Sequence, residues 1–379
     1  LVCQWCRDMA QIVDIFLQKM GLCSNNDCGY GVVFFTYCEL ALTMFFTVST
    51  YPTIADSEES LSIRCYGVLC MLIEIHIFAF IVVRLYQMSQ HREMYQRSQG
   101  VGIPENYKRK IAIVIKQHFI VSNVFVAVSM LYTISMDRVL MGDPFTFPFL
   151  DVLPIKTTNV AVYVFKYIIY CLPVYFAYIE ICFLNVTFMY STGVVNRYFQ
   201  VLDEQVKDAM ENMNEHKLSI AIKCHQEVIK FFNDMMTVYE KPILLTIEMC
   251  GLCLGMTSCF IIQVIRGYIH QILVGLCIAS SMATVITIVI YCIYASNVYD
   301  LHNGILSRLF EHRSCYSRNK SFKYRILIMM TRATIPLEFK AVSIFTINLN
   351  LLVKILKFTY TLFNVLLTSI NHQFIETKK

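Results

Sequence analysis

Between Leu349 and Asn371 an apolar run carries a polar residue at every third or fourth position: Asn350, Lys354, Lys357, Thr361, Asn364, Thr368 and Asn371. Steps of 4, 3, 4, 3, 4 and 3 place all seven on one face of a helix. The other faces carry Leu351, Leu352, Ile355, Leu356, Phe358, Leu362, Phe363, Val365 and Leu366. A polar seam along so apolar a helix has to meet water or protein, because lipid offers hydroxyls and amides no partner. Two arrangements satisfy it. Repeated around an axis by oligomerisation, the seam lines a pore; buried in its own bundle, it hydrogen-bonds to neighbouring helices. Lys354 and Lys357 are awkward for a cation path, since rings of positive charge favour anions. A narrow part is therefore expected near Thr361 to Thr368.

Other charged side chains interrupt apolar runs: Glu39, Glu74, Lys166, Glu180 and Glu248, with His76. Proton-coupled transport requires such groups to converge, yet they are scattered over four runs without an internal repeat or paired broken helices. Interior pairing or snorkelling explains them more simply. Cys3, Cys6, Cys23 and Cys28 loosely mimic zinc spacing, but four residues separate the second pair and no His closes the set. The 16 cysteines are read as free thiols, most of them inside apolar runs. The chain carries no Gly-rich phosphate loop, His-Glu-x-x-His or Ser elbow, and no enzyme activity, cofactor or metal is expected. Nor does any basic run interleaved with aromatics suggest a nucleic-acid surface.

What positions these residues is a set of long apolar helices. Hydrophobic residues make up 56% of the 379 and charged ones 16%, against about 45–50% and about 25% for soluble chains. Runs long enough to cross a hydrocarbon core occur near 31–51, 64–86, 111–136, 159–188, 242–266, 271–296 and 341–369. They read as helices, since an open sheet edge cannot sit in lipid. Pro242 is placed to open the fifth run, Pro336 precedes the seventh, and Pro173 is expected to kink the fourth. Residues 1–30 hold only a short apolar stretch broken by Asp14, Gln18 and Lys19. No leader is expected within them, and targeting falls to the first span.

Loop charge sets the sidedness. The 2–3 loop carries Arg92, Arg97, Lys108, Arg109 and Lys110. The 4–5 loop carries Arg197, Lys207, Lys217, Lys223, Lys230 and Lys241, and the 6–7 loop Arg308, Arg313, Arg318, Lys320, Lys323, Arg325 and Arg332. Against these eighteen, the opposite loops hold three: Arg138, Lys156 and Arg266. Positive loops stay in the cytoplasm. Seven spans then put the N-terminus inside and the C-terminus outside, the reverse of a G-protein-coupled receptor. Asp137-Arg138 imitates a motif of such receptors but ends the third span on the outer side, where it reads as an interfacial ion pair. Asn319-Lys-Ser, the one glycosylation sequon outside a span, falls in the cytoplasmic 6–7 loop.

The loops themselves stay helical in pattern. Phe199, Leu202, Val206, Met210 and Met213 step by 3, 4, 4 and 3, and Ile222, Val228, Phe232, Met235 and Tyr239 lie near one face. Such amphipathic helices need an apolar partner outside the membrane. Segments 189–241 and 297–338 are therefore expected to form a cytoplasmic helical layer within a single domain, 1–379. His216, Cys224 and His225 match no metal spacing.

Three stretches resemble the insect odorant receptor family: CHQEVIKFFNDMMTVYEKPILLTIEMCGLCLG (224–255), FKAVSIFTINLNLLVKILKFTYTLFNVLL (339–367) and DPFTFPFLDVLP (143–154). The first is similar to the His-Gln-x-Ile/Val helix, turn and Pro before that family's fifth span. The second resembles its seventh, with Leu-Lys, a Ser/Thr-Tyr pair and a Leu pair. The related gustatory receptors are the nearest rival. Their last span ends in Gln-Phe, where this chain has Leu366-Leu367.

The resemblance implies an all-α membrane protein of inverted seven-span topology with a cytoplasmic anchor layer. It implies an odorant-binding subunit of a ligand-gated, non-selective cation channel, in the plasma membrane of a sensory dendrite. The implied partners are a shared odorant receptor coreceptor, in a heteromer of four, and small volatile odorants. The pore-lining residues would be Asn350, Lys354, Lys357, Thr361, Asn364 and Thr368. An outer-half pocket between spans two, three, four and six would hold Tyr66, Met71, Phe125, Met130, Tyr132, Tyr163, Tyr167, Tyr170, Leu273 and Cys277. An aromatic and Met-lined cavity suits volatile apolar ligands, recognised by shape. Packing between helices is the plainer role for each of these ten residues. A gustatory-type channel, a metabotropic seven-span receptor and a transporter are the alternatives.

Overall fold

The computed structural model describes residues 15, 29–55, 61–99, 101, 103, 105–139, 155–156, 159–265, 271–311, 320–342 and 344–376, with backbone alone at several helix ends. Nearly all of this is helix. In chain order the elements are α1 (Gly29–Ala55), α2 (Leu61–Gln99), α3 (Glu105–Val139), α4 (Val160–Glu211), α5 (Glu215–Ile265), α6 (Gln271–Glu311) and α7 (Lys320–Ala333), then β1 (Lys340–Ala341), β2 (Phe345–Thr346) and α8 (Leu349–Glu376). α5 is central and packs on α2, α4, α6, α7 and α8; α1 lies on α2 and α4, and α3 on α4. Among the described residues, Tyr178–Glu211 and Ser281–Glu311 are long and apolar enough to cross a membrane.

Capping explains where helices begin. The side chain of Asn159 accepts a bond from Val162 N (2.9 Å) at the start of α4. Asn214 accepts from His216 N and Lys217 N (2.9 and 3.1 Å) at the start of α5, and Asn348 from Leu351 N (3.1 Å) at α8. The α4–α5 connection is only Asn212 to Asn214, with Met213 at φ 47°. That position puts Met213 beyond the end of α4, and it is exposed, unlike its expected companions Phe199, Leu202, Val206 and Met210, which are buried. Lys217 Nζ reaches back to Asp208 Oδ2 at 2.6 Å and holds the turn closed.

Two expectations about proline and the last run are corrected. Pro242 does not begin a helix; α5 runs unbroken through it from Glu215 to Ile265. The apolar face of 222–239 is continuous with the run after Pro242, and its burial outweighs the one backbone bond proline removes. Likewise the run from 341 is not helical at first. Residues 340–346 form a two-stranded hairpin, Lys340 opposite Thr346 and Ala341 opposite Phe345, and α8 starts only at Leu349. Ile347 N donates to Phe339 O at 2.8 Å and closes it.

The core lies where α4, α5 and α6 meet this hairpin. Phe188, Tyr239, Tyr291 and Phe339 are buried, and Phe188 contacts the other three rings at 5.3, 4.8 and 5.4 Å between centroids. Phe232 meets Phe339 at 4.8 Å. Edge-on pairs of this kind each add about 0.5–1.5 kcal/mol beyond burial. α4 is also polar here, yet Thr187, Ser191 and Thr192 donate to carbonyls four residues back at 2.8, 2.9 and 3.0 Å, so their hydroxyls stay satisfied inside.

Candidate functional site

α8 packs on α5 and α6 with one face. Leu351 and Ile355 are buried, and Leu352, Thr359 and Phe363 are half-buried beside them. Asn350, Lys354, Lys357, Thr361, Asn364 and Thr368 are all exposed on the opposite side, turned away from the chain's own bundle. The side chain of Asn371 lies outside the described residues. Thr361 Oγ1 donates to Lys357 O (3.0 Å) and Thr368 Oγ1 to Asn364 O (2.8 Å). With their protons taken by the helix, these hydroxyls offer only acceptor lone pairs to the outside. Such a face can solvate cations, whereas Lys354 and Lys357 at its beginning repel them.

Of the ten expected pocket residues, Tyr163 and Tyr167 are buried one turn apart near the start of α4, and Met71 is half-buried on α2. The side chains of Tyr66, Phe125, Met130, Tyr132, Tyr170, Leu273 and Cys277 lie outside the described residues. A cavity does open between α2, α4, α5 and α6, lined by Ile77, Phe80, Glu180, Thr246, Met249 and Thr284 among others, and Met71, Tyr163 and Tyr167 are not among its described lining. At about 20 Å³ it holds a water rather than an odorant.

Beside that cavity lies a charge cluster centred on Arg84, whose position gives no local sign of its partners. Arg84 Nη1 is 2.6 Å from Glu180 Oε1, and Nη2 is 3.4 Å from Glu39 Oε2. Nη2 also donates to Thr36 Oγ1 at 2.8 Å, and the guanidinium lies 5.8 Å from the ring centre of Phe183. All three charged side chains are buried. Two carboxylates thus share one guanidinium and tie α1, α2 and α4 together. For Glu39 and Glu180 the structure shows interior pairing rather than snorkelling, and both pair with Arg84 at the end of the second apolar run. His76 Nε2 approaches Glu248 Oε2 at 3.8 Å between α2 and α5. Asn185 Nδ2 lies 3.2 Å from both Thr287 Oγ1 and His118 Nε2, joining α3, α4 and α6.

Cys3, Cys6, Cys23 and Cys28 lie outside the described residues, as do the side chains of Asp137 and Arg138. On α5, His225 is buried with its ring centre 5.9 Å from that of His302 on α6. Burial, then the neighbouring His302 and Arg332, push its pKa from 6.5 down to about 4, so the ring is neutral.

Residues 65–360, well over half of the chain, match the sequence profile of a family described as 7tm Odorant receptor. The chain belongs to the odorant receptor family. It is thereby a membrane receptor of olfaction and not an enzyme. The fold agrees over the full length. The olfactory receptor OR5 from the insect Machilis hrabei superposes with a TM-score of 0.65, at 15% identity over 97% of this chain and 98% of that one. The same receptor in complex with eugenol gives 0.70 at the same identity and coverage. No curated protein matches this odorant receptor in sequence.

Proposed function

We propose that this chain is the odorant-binding subunit of a heteromeric, odorant-gated, non-selective cation channel. It crosses the plasma membrane of a sensory neuron dendrite seven times, N-terminus inside, on α1 to α6 and α8. Its partner is the odorant receptor coreceptor, in a tetramer. The α8 helices surround the pore, and the extensions of α4 to α6 with α7 and the hairpin form the cytoplasmic layer between subunits. Volatile apolar odorants bind in the outer half among the ten residues named above, and binding favours the open arrangement of α8 by the ligand's difference in affinity between the two states.

The observation that carries this reading is the polar face of α8, exposed on the side opposite its own bundle. A polar face turned away from its own helices needs water or further subunits against it. Family membership supports it, and OR5 has been seen with a small volatile phenol, eugenol.

The test is whole-cell current in a non-neuronal cell during a panel of volatiles, with G-protein signalling blocked. The chain is expressed alone, with the coreceptor, and beside coreceptor-only cells. A fast current tuned differently from the coreceptor's own, in co-expressing cells only, is the expected result. A response that needs active G-proteins would replace the channel with a metabotropic receptor.

A further inference from the structure

Lys354 and Lys357 open onto a concavity of about 460 Å³, which Thr346, Asn348 and Asn350 also line. The whole stretch 339–375 contains no Asp or Glu. Among the described residues neither lysine lies within ion-pair distance of a carboxylate, while nearby Lys340 is turned toward Glu338 at 3.4 Å. Two ammonium groups three residues apart on one helix repel each other. Here they do so at the wall of a polar hollow whose described lining residues include no carboxylate. The asparagine amides add N–H donors beside them. The hollow is larger than a simple ion needs and falls in the range, about 300–1,000 Å³, that holds small organic molecules. Size, donors and uncompensated charge point the same way, to an organic anion.

We propose that this concavity binds a phosphate-bearing anion of small-molecule size, held by Lys354 and Lys357. The same chemistry occurs in soluble phosphorylated molecules and in phosphoinositide headgroups. Phosphate suits the lysines because each ammonium is a compact point charge with three donors. Binding to the purified chain depends on neither sidedness nor a pore, so it fails or succeeds separately from the function proposed above. Where that reading also holds, the bound anion cancels the positive end of the polar face at the inner mouth, and cations meet no ring of bare lysines there.

The experiment uses the full-length chain in phosphatidylcholine nanodiscs and radiolabelled inositol hexakisphosphate as the soluble probe. A second set of discs contains phosphatidylinositol bisphosphate, and its retention through purification is read by mass spectrometry. The expected result is saturable binding in at least one arm, weakened by rising NaCl. In the Lys354→Gln/Lys357→Gln double variant it should fall by at least about tenfold, as loss of charge-assisted bonds predicts, and in Lys207→Gln it should not change. Binding in the soluble arm names a soluble ligand, and retention in the lipid arm alone names a headgroup. No binding in either arm, or binding equal in the double variant, overturns the proposal. Both lysines are exposed, so a matching elution volume of the double variant establishes that its fold is intact.

Discussion

At the scale of single residues, buried charge is where the chain is most sensitive. Arg84 holds Glu39 and Glu180 together at side-chain exposures of 5%, 0% and 4%. Arg84→Met leaves two buried carboxylates facing each other, and losing one partner of a buried pair costs about 3–5 kcal/mol. We expect a collapse in the yield of monodisperse receptor, restored in part by adding Glu39→Gln and Glu180→Gln; a variant as stable as the native chain would show that the cluster contributes nothing. His225 gives a different signature. The unfolded chain protonates this ring as the pH falls below 6.5, the folded chain only near 4, so folded stability is highest above 6.5 and is lost as the pH falls toward 4. The loss approaches ~3 kcal/mol at the lower end. Melting of the purified receptor across this window should therefore depend on pH less steeply in His225→Gln than in the native chain.

At the scale of elements, the hairpin before α8 joins that helix to the core. Phe339 lies against Phe188 and Phe232 and is buried. Phe339→Ala should cost about 3–5 kcal/mol and loosen the start of α8, seen as faster hydrogen exchange from Lys340 to Leu351. Equal exchange in both proteins would place the anchor of α8 elsewhere. The hairpin's own turn is strained, since Val342 sits at φ 48°, which a β-branched residue tolerates poorly. Val342→Gly should thus be neutral or raise the melting temperature, whereas a clear fall would mean that the side chain, which is 37% exposed, makes a contact worth more than the strain.

At the scale of the whole molecule, the proposed topology and pore make separate predictions. Thr368 and Asn364 face away from the bundle in the C-terminal half of α8. If α8 helices surround the pore, Asn364→Leu and Thr368→Leu alter current or ion selectivity, and unchanged permeability ratios in both would remove the assignment. Sidedness is read at Asn319-Lys-Ser, the sequon between α6 and α7. Under the inverted topology it faces the cytoplasm and stays bare. A shift in mobility on glycosidase treatment, abolished by Asn319→Gln, would reverse the topology.

Much of this was legible in one dimension, because it rests on period and composition. The 4, 3, 4, 3 spacing of Asn350 to Thr368 is a property of helix geometry, and the structure places those residues together on one exposed face. The long apolar runs and the buried faces of 199–210 and 228–239 follow from the same arithmetic. What sequence could not decide depends on contacts between distant residues. Whether the α8 face turned inward or outward was open until Leu351 and Ile355 were seen packed on α5 and α6, with the polar residues opposite. Arg84 meets Glu39 and Glu180 from 45 and 96 positions away, a convergence that no local period encodes. The hairpin at 340–346 and the continuity of α5 through Pro242 likewise belong to tertiary packing. In both, burial against neighbouring elements overrode the local preference of the chain, for helix from 341 and for a break at proline.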